Sequence, residues 1–415
     1  MNQKLSPLSG LLVLIAVLVT AAAAQDPEPP PVEVSPLAGP LHRLQCNGPL
    51  GVSMVASVGA DGVLLVDTGY AGTAAAAREA IAELSDAPVR VIVNTHGDGD
   101  HVGGNAMLGA AAVVIAHPGT RRQMGTFFAL PAPEREGLPT VTLESEATIH
   151  FNGDVIRLLP VPGGHTAGDL VVHFTRSGVA CLGDIVFTGG VPNADPARGG
   201  DARRLTEVLR MLEKTLPEET TLLPAHGGPT TMSGLRDYIE MVEGTVAGVQ
   251  EGVAAAEDLE KILQRASLAR WADWQPDRDS FDRWVGEIHA ALTGTLRQSI
   301  CAPMTEALVK DDIAAAVSTY RRLETEEPER WGFAENELNN LGYQLLQRGR
   351  IDEAVVVFEL NTETYPEAFN AWDSLGEAQL AAGQREKAVA SYRRSLELNP
   401  ENTNAVTVLA GLESH

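Results

Sequence analysis

Seven residues of metal-ligating type fall in an order and spacing that packing alone gives no reason for. The core is the run Asn94-Thr95-His96-Gly97-Asp98-Gly99-Asp100-His101-Val102-Gly103-Gly104-Asn105. Downstream lie His165 after Gly163-Gly164, Asp184 after Gly183, and His226 before Gly227-Gly228. Four imidazoles and three carboxylates set among glycines suit a two-metal centre, which makes a hydroxide nucleophile at neutral pH. His96 and Asp98, two apart on a loop, can reach one ion, and the adjacent Asp100 and His101 a second. Asp184, just after an apolar run, is placed to bridge the two. That allows three protein ligands per ion plus a shared carboxylate, with a position left for water. The glycines let the loop fold tightly round the ions. The competing reading is a structural site, but such sites are closed and four-coordinate rather than binuclear.

Loops held by a rigid sheet are where layered α/β folds keep such residues. The strands expected here are Val52–Val58 and Val63–Val66 (joined by Gly59-Ala60-Asp61-Gly62), Val89–Val93, Ala112–Ala116, Val141–Leu143, Ala147–Phe151, Val155–Pro160, Leu170–Phe174, Val179–Leu182 and Thr221–Leu223. Helices are expected over Ala71–Ser85, after Pro118 and over Ala202–Thr215. The candidate ligands fall at or soon after strand ends.

Residues 45–230 resemble the metallo-β-lactamase fold superfamily, whose motif is His-x-His-x-Asp-His followed by a His, an Asp or Cys, and a His. The resemblance implies a four-layer αββα sandwich. By position, His96, Asp98 and His165 would hold the first metal, Asp100, His101 and His226 the second, and Asp184 would bridge. Asp67, in Asp67-Thr68-Gly69, would support the ligand loop. The metals implied are two divalent ions, zinc in the first place, with iron or manganese as alternatives.

One position departs from the motif: the second histidine is Asp98. An oxygen ligand there is compatible with zinc but shifts preference toward iron or manganese. Asp98, Asp100, Asp184 and a hydroxide together cancel two divalent cations, where a histidine at 98 would leave +1. The bound water is then expected to be less acidic, and Asp98→His to raise activity at neutral pH. The alternative for Asp98 is a supporting role without metal contact. Flavodiiron members of the superfamily carry a Glu at this position, but no flavodoxin-like pattern comes after the metal domain here.

The implied activity is hydrolysis of an ester, thioester, lactone or lactam-type substrate, with Asp100 both ligating and orienting the nucleophile. The motif does not choose among these. Antibiotic hydrolysis is the weaker reading, since Asp184 stands where many zinc β-lactamases carry a cysteine. Redox chemistry on iron is a further alternative.

The rest of the 415-residue chain sets the context. A formal charge of −24 argues against nucleic acid or an anionic membrane as partner. Residues 1–24 read as an export signal: Lys4, the apolar run Leu11–Thr20, and Ala22-Ala23-Ala24 before Gln25. The expected location is periplasmic or secreted, without a stable membrane anchor. Residues 25–43, rich in proline and acids, read as a linker, and 44–230 as the metal domain. A helical extension over 231–305 carries Trp271, Trp274 and Trp284, expected as structural contacts, with a homodimer seam or pocket wall as the other reading. Over 306–415, Leu341-Gly342, Ala354, Phe358 and Pro366 recur 34 residues later as Leu375-Gly376, Ala388, Tyr392 and Pro400. A half unit (Ala316, Tyr320, Pro328) precedes them, and another helix is expected near Asn404. This period resembles the tetratricopeptide repeat and implies a short helical solenoid. Its expected role is a stabilising cap or self-association, with capture of a protein partner as the alternative. Cys46, Cys181 and Cys301 could form at most one bridge, and Cys181 reads as a small buried hydrophobe. His117 reads as a cap or core residue, and His42, His150, His173, His289 and His415 have no partner spacing.

Overall fold

The computed structural model describes residues 32–46, 51–127, 137–194, 196–272, 274, 278–295, 297–347 and 349–413. The expected export signal over 1–24 and His415 lie outside them. No helix among the described residues is long and apolar enough to cross a membrane.

Two sheets form the metal domain. The first has seven strands in sequential order: β1 (Val32–Pro36), β2 (Leu41–Cys46), β3 (Val52–Gly59), β4 (Gly62–Val66), β5 (Val89–Val93), β6 (Val113–Ala116) and β7 (Val141–Thr142). It is antiparallel from β1 to β4 and parallel from β4 to β7. The second sheet holds β8 (Ala147–Phe151), β9 (Asp154–Pro160), β10 (Leu170–Phe174), β11 (Val179–Gly183) and β12 (Thr221–Pro224). It is a meander that ends in the parallel pair β11–β12.

Alternation along the strands builds the layers. In β4, Leu64 and Val66 join Val93, Leu158, Val172, Phe174 and Cys181 in the core between the sheets. Val63 and Leu65 face the other way and pack with Ala77 and Ile81 of the helix Ala74–Leu84. In β10, Val171 packs outward against Leu205, Leu209 and Leu212 of the helix Ala202–Thr215, and against Tyr238 and Val242 of the helix Met232–Ala254. Strands with apolar residues on both faces therefore sit inside a helix–sheet–sheet–helix sandwich. At about 25 cal/mol per Å² of apolar surface, this double burial makes the sheets the rigid part of the domain.

Two expectations are corrected. The segment read as linker is in part strand: β1 and β2 pair, and Leu41 is buried. Val32 and Val34 alternate along β1, a spacing the proline count had masked. The unit upstream of the repeats is a complete hairpin, Cys301–Lys310 and Ile313–Glu326, so helical pairing starts before residue 306. Each cysteine is a free, buried thiol, and Cys181 lies in the inter-sheet core.

The extension packs on the second sheet's outer helices. Trp284 is fully buried and donates from Nε1 to Thr245 Oγ1 at 2.9 Å, while Trp271 and Trp274 meet edge to face at 6.4 Å. In the repeats, Glu335–Gln347 packs on Ile351–Thr364, then Phe369–Ala381 on Arg385–Leu398, and Thr403–Glu413 closes the stack. The small and aromatic positions have a direct cause: a Cβ on Gly342 would lie 2.5 Å from the Phe358 ring, and one on Gly376 would lie 2.9 Å from Tyr392. The first elements of this region touch the metal domain. Helix Cys301–Lys310 packs on helix Pro118–Phe127, and strand Gln298–Ser299 packs on the turn Pro196–Arg198.

Candidate metal centre

All seven candidate residues converge at one edge of the sandwich, where β5, β11 and β12 end. His96 Nε2 lies 3.5 Å from Asp98 Oδ2 and 3.9 Å from Asp184 Oδ2. His165 Nε2 is 3.3 Å from Asp98 and 3.7 Å from Asp184. On the other side, His226 Nε2 is 3.2 Å from Asp100 and 3.3 Å from Asp184. His101 Nε2 is 3.7 Å from Asp100 and 3.4 Å from Asp184. Asp184 thus faces both clusters. Three groups have donor atoms close enough to share an ion: His96–Asp98–His165, His96–His101–Asp184 and Asp100–His101–His226.

The donor chemistry fits metal. His96 Nε2, His101 Nε2 and Asp184 Oδ1 are buried and have no hydrogen-bond partner. Orphaned polar atoms of this kind cost about 1–3 kcal/mol each unless a ligand satisfies them. Each ring is held through its other nitrogen. His101 Nδ1 donates to Asp67 Oδ2 at 2.8 Å, His165 Nδ1 to the Asn193 carbonyl at 2.5 Å, and His226 Nδ1 to the Gly51 carbonyl at 3.0 Å. Thr95 Oγ1 gives its proton to Asp67 Oδ2 at 2.7 Å, which leaves it free to accept from His96 Nδ1 at 3.2 Å. Nδ1 keeps its proton in these contacts, so Nε2 is the atom left to act as a ligand, and it faces the centre.

Asp67 supports the ligand loop through several contacts. It sits in left-handed backbone (φ 61°), and its carboxylate also accepts the Thr95 N–H at 2.8 Å. A non-glycine residue holds that conformation only when its surroundings over-determine it, here with three hydrogen bonds. The loop closes tightly at Gly104, whose missing Cβ lets the Thr68 carbonyl approach. Thr68, Asn94 and Asn105 knit that turn: Thr68 Oγ1 donates to Asn105 Oδ1 at 2.8 Å, and Asn105 Nδ2 to Asn94 Oδ1 at 2.8 Å.

Several supporting groups were not legible in the sequence. Asp98 pairs with the Arg198 guanidinium and accepts from Gln123 Nε2 at 2.7 Å. Asp169 accepts the backbone N–H groups of His165 (2.7 Å) and Thr166 (2.9 Å), fixing the turn that carries His165. The spacing His165-Thr166-x-x-Asp169 was the available signal for that turn. Glu287, in the helix Arg278–Thr293, accepts the Ala194 N–H at 3.0 Å, next to the Asn193 carbonyl that orients His165. Phe187 stacks on His226 with ring centroids 5.5 Å apart. His117 caps its helix: Nδ1 accepts the Gly119 N–H at 3.0 Å.

Charge is strongly coupled in this cluster. Burial pushes the Asp184 carboxyl up, but the His101 ring, with His226 and His96, more than reverses that and holds it well below the usual range. Asp98 shows the same pattern, with Arg198 the strongest of the opposing groups. Burial lowers His101, and the carboxylates of Asp184, Asp100 and Asp67 outweigh it and raise it well above an ordinary histidine. His226 is raised to about 10, its hydrogen bonds to Asp100 and Asp184 overcoming desolvation.

Residues 47–226 match the metallo-beta-lactamase superfamily, and residues 369–402 match the tetratricopeptide repeat. A hydroxyacylglutathione hydrolase of Gloeobacter violaceus is 37% identical over 135 residues, covering 32% of this chain and 48% of its own length. One from Haemophilus influenzae is 29% identical over 177 residues, 40% of this chain and 81% of its own. The chain spans about half the length of the first curated relatives it matches. A solved sec-alkylsulfatase from Pseudomonas sp., stereoselective and inverting, aligns with a TM-score of 0.52 at 14% identity, over 88% of this chain and 66% of that one. That likeness is one of fold, and it extends past the metal domain into the helical regions.

Proposed function

With residues 47–226 forming a metallo-beta-lactamase superfamily domain, we propose that this protein is a metal-dependent hydrolase acting on an ester or thioester through a two-ion centre. One observation carries this: buried Nε2 atoms of His96 and His101 and Oδ1 of Asp184 converge without hydrogen-bond partners. His96, Asp98 and His165 would hold one ion, Asp100, His101 and His226 the other, with Asp184 between them. Two divalent ions, zinc in this reading, would supply an activated water and polarise the scissile carbonyl.

The chain's own residues do the rest. Asp67, Thr95, Asn193 and Gly51 orient the four rings and fix their tautomers. Asp100 Oδ2, 3.2 Å from His226 Nε2, sits at the rim of the cluster, half-buried, where it can hold the proton removed from the nucleophile. Phe187, stacked on His226, supplies an apolar wall for the substrate. Burial, with the Asp100 charge, raises the Tyr70 phenol to about 12, so it stays protonated.

The thioester reading draws support from the relatives, several of which are named hydroxyacylglutathione hydrolases. Purified protein should turn over a hydroxyacyl thioester in preference to lactone, lactam and alkyl sulfate esters. Activity should vanish on chelation and return with zinc. Turnover that survives complete metal removal would refute the proposal, and a preference for alkyl sulfate would replace the substrate class. Export through residues 1–24 belongs to the same reading, and N-terminal sequencing of the mature protein should begin at Gln25.

A further inference from the structure

The departure at position 98 places a third carboxylate in the cluster, and the structure sets a cation directly against it. Arg198 pairs with Asp98 Oδ2, while Gln123 donates to Oδ1 at 2.7 Å. Both partners are largely shielded, with side-chain exposures of 13% for Asp98 and 22% for Arg198. Arg198 is not a stray surface residue. Its carbonyl accepts the Ala167 N–H at 2.8 Å, which ties it to the turn that carries His165. Strand Gln298–Ser299 packs on its turn, and helix Cys301–Lys310 packs on the helix that carries Gln123. The chain therefore positions both groups that grip Asp98 from outside the ligand loop.

Charge explains why. Asp98, Asp100 and Asp184 bring −3 to the cluster, and Arg198 returns it to −2. A histidine at position 98 would give the same −2 without any arginine. We propose that Asp98 and Arg198 act as one neutral unit in place of a histidine, Arg198 being a positioning residue that offsets the extra carboxylate. A carboxylate has about four lone-pair sites, so Asp98 can accept from Gln123 and Arg198 and still face an ion between His96 and His165. An unmatched third carboxylate in a shielded site would instead bind cations tightly and leave them weak Lewis acids. Asp98→His alone would remove the carboxylate that Arg198 faces and weaken zinc binding, a readout separate from the expected rise in activity.

This inference rests on the proposed two-ion centre, and one set of measurements separates the two. Zinc affinity is measured by chelator competition on the full chain for wild type, R198Q, R198K, D98H and D98H/R198Q. R198Q should hold zinc about tenfold more tightly, because a repelling charge is removed while a donor remains. R198K should stay within about threefold of wild type. D98H should bind zinc more weakly, and R198Q added to it should recover the loss. Unchanged or weaker zinc binding in R198Q, or a double variant no tighter than D98H, overturns the inference. A wild type that binds no zinc defeats the two-ion reading itself.

Discussion

The two halves of the centre are built on different supports. Asp100, His101 and His226 are oriented from within residues 51–226: His101 by Asp67, and His226 by the Gly51 carbonyl. The half made of His96, Asp98 and His165 draws on the rest of the chain. His165 leans on the Asn193 carbonyl beside Ala194, which Glu287 holds from the helical extension. Asp98 is gripped by Arg198 and Gln123, whose elements are covered by the start of the repeat region. One half is thus fixed by the sandwich alone, and the other is tied to the helical regions on its C-terminal side. Strand Gln298–Ser299 and helix Cys301–Lys310, at the start of that region, supply these contacts.

The largest effect should come from Asp184, which both halves share. Asp184→Asn should cost on the order of a thousandfold in kcat/KM and release bound metal from both positions. Metal content and turnover, measured together, check this. Retention of both ions would show that Asp184 does not join the halves.

Protons offer the second contrast. His101 and His226, in the self-contained half, are both raised, as is His165 in the other. With its ring raised to about 10, His226 is protonated in the metal-free protein at neutral pH, so metal binding there must expel that proton. Affinity should therefore fall about tenfold per proton for each pH unit lowered below 8, most steeply for the Asp100–His101–His226 position. Calorimetry in buffers of different ionisation heat would reveal the release, and a pH-independent affinity would contradict it. The sign for the metal-free fold is opposite. The stabilisation from a raised ring is fully present below the unfolded value of 6.5 and is lost, for His226, as pH climbs through about 10.

Supporting residues come next. Asp67→Asn should weaken metal binding about 10–100-fold, at the His101 position directly and at the His96 position through Thr95. Glu287→Ala should weaken only the His165 position, by about three- to tenfold, since it loosens the backbone that orients that ring. A two-step metal titration distinguishes them, and equal losses at both positions in Glu287→Ala would erase the proposed division. The smallest effect on the centre should come from a lesion deep in the repeats. Gly342→Ala drives a methyl into Phe358 and should cost about 1–3 kcal/mol of stability. Thermal unfolding should show that loss while metal affinity stays unchanged.

Legibility in the sequence divides along the same line. The seven ligand candidates and Asp67 stood out because their neighbours are glycines and strand ends, features local to the sequence. The strands were legible wherever apolar residues recurred, as in β3 to β5 and β9 to β11. The 34-residue period surfaced through Gly342 and Gly376 because each must clear an aromatic ring. The groups that stayed hidden, Arg198, Gln123, Asn193 and Glu287, act across separations of 25 to 100 residues. No local pattern marks an arginine in a short turn as the partner of an aspartate in another loop. The strand β1 was obscured for a simpler reason, a cluster of prolines just before it.

Metal stoichiometry of the purified full chain, by mass spectrometry under native conditions, tests the two-ion centre most directly. Two ions per wild-type chain, and neither retained in Asp184→Asn, is the predicted result. A folded wild-type chain that carries no ion, or a single ion unaffected by that substitution, would contradict it.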